Sequence, residues 1–112
     1  MKVLTYVGCY TDEKKEGIHI FESDTETGAF RPVGLVGGIE NAIYLSLNKA
    51  RTRLYAGLGL PEFGARNVNG AVAAYAIQGD TLLPLNHKPI GVTPPCYVAL
   101  APDEKSLVFA EY

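Results

Sequence analysis

The chain has 112 residues, 47% of them hydrophobic and 20% charged, with no Trp and a formal net charge of −2. A chain this apolar can bury enough surface to offset its ordering entropy, which excludes disorder, and so even a charge balance offers no basic field for nucleic acid or anionic lipid. No stretch approaches the roughly 18 consecutive apolar residues of a membrane span and no secretory signal is evident, so a cytoplasmic location is expected, with Cys9 and Cys96 as free thiols.

The 12 Gly and 7 Pro residues fall between short runs of Val, Ile, Leu, Tyr and Phe. Those runs lack a sustained period near 3.6, the pattern of many short strands and almost no helix. In chain order the strands are expected at 3–9, 17–22 and 29–33, then at 42–47, 53–58, 71–77 and 81–85, and last at 96–100 and 106–111.

The chain also repeats itself. Tyr44-Leu45-Ser46-Leu47 aligns with Tyr97-Val98-Ala99-Leu100, and Gly17-Ile18-His19-Ile20-Phe21 with Gly70-Ala71-Val72-Ala73-Ala74, both at a shift of 53 residues. Phe30-Arg31-Pro32-Val33 matches Leu82-Leu83-Pro84-Leu85 after one deletion. A repeat of roughly 50 residues holding four short strands is the mark of a β-propeller blade. The expected fold is therefore all-β, a propeller portion of about two blades. Residues 1–36 form a first blade lacking its innermost strand, 37–90 a complete blade, and 91–112 the start of the next. Since a ring takes typically four to eight blades, the chain reads as part of a longer one. Its open strand edges are places where it could self-associate.

Several segments together resemble the lactonase-type seven-bladed β-propellers, the group of bacterial 6-phosphogluconolactonases. They are Tyr6-Val7-Gly8-Cys9-Tyr10-Thr11, Gly17-Ile18-His19-Ile20-Phe21, the acidic turn from Glu22 to Gly28, Asn41-Ala42-Ile43-Tyr44-Leu45, Arg53-Leu54-Tyr55-Ala56, Gly70-Ala71-Val72-Ala73-Ala74-Tyr75 and the stretch from Pro95 to Asp103. Cys9, Ala42 and Glu111 depart from the group's usual Thr, Pro and Asn. The resemblance implies hydrolysis of 6-phosphogluconolactone to 6-phosphogluconate in the pentose phosphate route, without a cofactor. It also implies that the catalytic residues lie downstream of Tyr112, so that this chain by itself is inactive. A muconate-type lactonising cyclase and a non-catalytic binding propeller are the alternatives.

The residues themselves display no catalytic set. None of Ser23, Ser46 and Ser106 stands in a Gly-x-Ser-x-Gly elbow. Cys9 and Cys96 need a base alongside, and His19 and His87 fall in other strands or loops. The two histidines do not make a metal site, and Asp24 and Glu26 lack the later bidentate Glu of a calcium loop. The glycine-rich stretch 57–64 has no Gly-Lys-Ser/Thr ending and no following helix, so it is a loop rather than a phosphate cradle. Lys49, Arg51 and Arg53 read as a solvated turn.

In a propeller, the connection between second and third strands emerges on the same face as the lead-in to the innermost strand. That rim would carry 11–16 and 60–69 together with Glu40, Asn41, Pro94 and Pro95. From it Asn41, Arg66 and Asn67 are the candidate ligands for a phosphorylated sugar lactone, Arg because it can fork onto phosphate and Asn because it bonds hydroxyls. Asn41 could equally serve only to cap the turn before Ala42.

Overall fold

The computed structural model describes residues 1–11, 14–60, 70–91 and 93–110. The strands are β1 (Lys2–Gly8), β2 (Glu16–Asp24), β3 (Phe30–Gly37), β4 (Glu40–Leu47), β5 (Arg53–Gly59), β6 (Gly70–Gln78), β7 (Thr81–Gly91), β8 (Tyr97–Leu100) and β9 (Leu107–Ala110), with no helix among the described residues. They pair antiparallel with their chain neighbours into three sheets, β1-β2-β3, β4-β5-β6-β7 and β8-β9. An all-β architecture of short meanders is thus what the spacing of turns and apolar runs led one to expect.

The core lies between the sheets. β2 alternates, so Ile18 and Ile20 are completely buried while His19 and Phe21 point to the opposite, half-exposed face. Ile18 packs with Ile39, in the lead-in to β4, and with Ala42, Leu54, Leu58, Ala71 and Tyr75 of the second sheet in one cluster. β5 is buried on both faces because it is covered twice. Leu54, Ala56 and Leu58 join the cluster shared with the first sheet, and Gly57 faces Pro95 and Val98 of the third. Burying a Leu of this kind completely contributes roughly 1.5–3 kcal/mol. Burial also raises the Tyr75 hydroxyl above its usual pKa. The outer faces of the first and third sheets remain open, exposing Val3, Val7 and Leu35 on one and Val108 on the other.

Repeat-related positions adopt the same geometry. A side chain on Gly8 would run into the carbonyl of Ala42 and lie 3.4 Å from Leu45. One on Gly57 would meet Pro95 at 2.5 Å and Val98 at 2.9 Å. Ala42 and Pro95, like Leu45 and Val98, stand 53 residues apart. In both places a glycine of the second strand lets the lead-in to the next sheet cross at close range. Arg51 and Glu104, at the same spacing, both take left-handed backbones, with φ of 57° and 60°. Their turns are fastened together: Lys49 donates from its backbone N–H to Glu104 (2.8 Å) and from Nζ to the Pro102 carbonyl (2.9 Å). The basic turn is exposed, as expected of a solvated turn, and its Lys49 in addition reaches its own successor.

The outer strands are longer than the sequence suggests. β3 continues to Gly37 and β7 to Gly91, past the expected ends at residues 33 and 85. These strands are at sheet edges, where a missing N–H is tolerated. The ladder accommodates the prolines by skipping a residue. Ile20 pairs with Gly34 and Phe21 with Pro32, passing over Val33, and Ala74 pairs with Asn86 and Tyr75 with Pro84, passing over Leu85. Bulges at these matched places turn each outer edge in the same way.

Candidate functional site on the rim

The first and second sheets meet at a rim built from the end of β1, the start of β2 and the lead-in to β4. The β1–β2 ladder continues past Gly8, with the Cys9 N–H donating to the Gly17 carbonyl at 2.9 Å. His19 pairs with Val7 across that ladder, which sets its ring one alternation back from the Cys9 thiol on the same face. The ring stacks on Phe21, centroids 6.4 Å apart. Around them opens a cleft of about 460 Å³ lined by Cys9, Tyr10, Thr11, Lys14, Glu16 and His19.

The connection that carries Lys14 is pinned near both ends to the second sheet. At its start, Asn41 Oδ1 accepts from the Thr11 N–H (2.9 Å) and from Thr11 Oγ1 (3.3 Å), while the Asn41 N–H donates to Thr11 Oγ1 (3.2 Å). At its end, the Ile39 N–H donates to the Lys15 carbonyl (3.4 Å) and Lys15 Nζ lies 3.7 Å from Glu40 Oε1. Both Lys15 and Asn41 have left-handed backbones, φ 54° and 47°. For Asn this region is accessible because its short polar side chain can bond locally.

Asn41 thus lies on the rim, as its position in the sequence suggested, but its carbonyl oxygen is committed to Thr11; none of these bonds uses Nδ2. Arg66 and Asn67 lie outside the described residues, as does Glu111. The separate strands assigned to Cys9 and His19 proved to be neighbours, and the cleft gathers thiol, imidazole, carboxylate, ammonium and two hydroxyls. Cross-strand register is the signal that would have found this, because a β1–β2 pairing through Gly8 and Ile18 brings the two side chains to one face. Ser46 lines a different cleft, with Leu45, Leu47 and Leu54. Among the described residues no group of three His, Cys, Asp or Glu side chains is placed to hold a metal ion. A somewhat larger cavity, about 520 Å³, lies between β3 and the outer half of the second sheet and is lined mainly by apolar groups such as Val36, Ile39 and Leu85.

Chemically, the rim cleft can receive a small polar molecule: Lys14 offers a cation, Glu16 and His19 accept protons, and the Thr11 and Tyr10 hydroxyls donate or accept. Over residues 4–112 the sequence matches the family described as lactonase, 7-bladed beta-propeller. It is 34% identical over 113 residues to 6-phosphogluconolactonase of Bacillus subtilis strain 168, an alignment that covers 99% of this chain and 31% of that protein. Among solved structures, a putative 6-phosphogluconolactonase from Bacteroides fragilis superposes with a TM-score of 0.79 at 26% identity, over 99% of this chain and 30% of that one. The periplasmic gluconolactonase of Pseudomonas aeruginosa superposes at 0.82 with 23% identity, over 97% and 30% respectively, a likeness of fold alone. The chain therefore spans less than a third of the length of each of these relatives.

Proposed function

Because the chain belongs to the seven-bladed β-propeller lactonase family, we propose that the protein carrying it hydrolyses a phosphorylated sugar lactone, 6-phosphogluconolactone, to the open acid. The observation that carries this reading is the 34% identity to a 6-phosphogluconolactonase along 99% of the chain. The polar cleft at the rim is consistent with it.

The reaction sets the requirements. Water adds to the lactone carbonyl as a base removes its proton, negative charge develops on the carbonyl oxygen, and collapse of the adduct breaks the acyl C–O bond. The ring oxygen leaves as a hydroxyl after taking up a proton. In this reading Lys14 receives the phosphate end of the substrate, and the Tyr10 hydroxyl lies in the same cleft to bond a sugar hydroxyl. Arg66 and Asn67 are proposed as further ligands on the grounds of residue type and loop position.

The complete protein should open 6-phosphogluconolactone faster than spontaneous hydrolysis, followed as acid release at constant pH, and should prefer it to the unphosphorylated lactone. No rate above background sinks the proposal. The same reading puts the protein in the cytoplasm, where sugar phosphates are handled. Recovery in a periplasmic fraction, the compartment of the Pseudomonas aeruginosa protein, would overturn that part.

A further inference from the structure

We propose that Asn41 is a positioning residue: through Thr11 it holds the connection bearing Lys14 in the place where the phosphate end of the substrate is received. The inference rests on the lactone reading above and adds to it a residue that acts at one remove from the ligand.

The argument comes from the internal repeat. The junction of the first and second sheets and that of the second and third are built alike, with Gly8 under Ala42 and Gly57 under Pro95. At the positions equivalent to Thr11 and Asn41, counted from those glycines and from Tyr44 and Tyr97, the second junction has Leu60 and Pro94. Leu60 is buried in the apolar cluster, and Pro94 has neither an amide proton nor a left-handed backbone to offer. Packing one sheet on the next therefore does not call for a polar clamp.

The first junction nevertheless has one, at some conformational cost. Asn41 adopts φ 47°, and three hydrogen bonds join it to a single residue. The segment that Thr11 opens leads to Lys14, which lines the cleft, and to Lys15, which is tied back by Ile39 and Glu40. Lys14, next to the fastened Lys15, is thereby presented with little freedom, the condition under which binding groups are most effective.

The test uses the complete protein and four variants. Asn41→Gly keeps the left-handed backbone and removes the clamp; Asn41→Asp retains the acceptor. Thr11→Val removes the hydroxyl, and Thr11→Ser restores it. Asn41→Gly should raise KM for 6-phosphogluconolactone about ten-fold with kcat within about two-fold, and leave KM for unphosphorylated gluconolactone unchanged. Asn41→Asp and Thr11→Ser should stay near wild type in both. Exchange of the Thr11 amide proton should be fast in Asn41→Gly and slow in Asn41→Asp. Fast exchange together with an unchanged KM overturns the positioning role and leaves the lactonase reading intact. A wild-type protein with no lactonase activity overturns that reading, and this inference with it. Should Asn41→Gly fail to fold by thermal melting, Thr11→Val decides, an unchanged KM for the phosphorylated lactone again overturning the inference.

Discussion

The two sheet junctions begin from one plan and end differently. Each has a glycine in its second strand, a residue crossing above it and a branched side chain beside it: Gly8 with Ala42 and Leu45, Gly57 with Pro95 and Val98. Beyond that shared frame the described positions of the second junction that match Cys9, Thr11 and Asn41 are apolar, namely Leu58, Leu60 and Pro94, and Leu58 and Pro95 are fully buried. At the first, Cys9 takes the place of Leu58 and remains half-buried, and Thr11 and Asn41 bond each other. Close packing is met at both, and among the described residues the Thr11–Asn41 clamp is added at the first, which opens on a cleft. The lesson is that in a repeat protein the positions where successive copies disagree are the ones to examine for function, since agreement already accounts for the fold.

The comparison can be broken most severely at its common element. Gly8→Ala drives a methyl group into the Ala42 carbonyl, a backbone atom that cannot move aside, and should cost about 3 kcal/mol or more in denaturant unfolding. Gly57→Ala meets the Pro95 ring at 2.5 Å, a Val98 methyl at 2.9 Å and the Pro95 carbonyl at 3.1 Å, less close than the backbone contact at Gly8, and should cost less. If the two are equal, the junctions are not equivalent in rigidity. Leu58→Ala should then lose about 2–4 kcal/mol as a buried truncation, whereas Cys9→Ala at the matching site should lose less than about 1 kcal/mol. Transplanting the second junction into the first, by Asn41→Pro, forces φ from 47° toward the value proline requires and removes the N–H to Thr11. A loss of about 2–3 kcal/mol is expected in the same measurement.

Much of the fold was legible in the sequence because its signals are local. Apolar runs such as Gly17-Ile18-His19-Ile20-Phe21 and the turn chemistry between them mark strands, and a constant shift of 53 residues marks the blade. The expected strand 81–85 stopped short of Pro89, a residue that argues against a strand only where the missing N–H would be needed, and whether β7 is an edge depends on the whole sheet. The cleft was less legible for a similar reason. Cys9, Glu16 and His19 come together through cross-strand register, and Asn41 meets Thr11 from 30 residues away. Asn41 was singled out as a ligand for its chemistry, but its left-handed backbone and its committed carbonyl oxygen are properties of the junction.

The smallest expected effects concern pH. Glu22 accepts from Arg31 Nη2 at 3.0 Å, and that bond, outweighing burial and helped by the charges of Arg31 and Lys2, holds its carboxyl below the usual value of 4.5. Its contribution is complete above pH 4.5 and disappears as the pH falls through the lowered value, so Arg31→Met should flatten stability against pH only on the acid side. The raised Tyr75 hydroxyl works in the opposite direction. The unfolded chain ionises first above pH 10.0, so stability declines as the pH climbs from there through the folded value, and Tyr75→Phe should reduce that alkaline loss. An unchanged slope in either variant would remove that residue from the account.

The turn-to-turn bonds on the side away from the rim have a consequence for ancestry. Lys49 holds the turn 53 residues ahead of its own, and both turns share the same backbone twist. A duplicated segment of this length would arrive already carrying half of the latch, since Lys49 Nζ ends on a backbone carbonyl that any copy of the turn supplies. The other half is later, because Arg51 stands at the position matching Glu104, and it shows substitution refining a copied contact as it does where Asn41 and Pro94 differ.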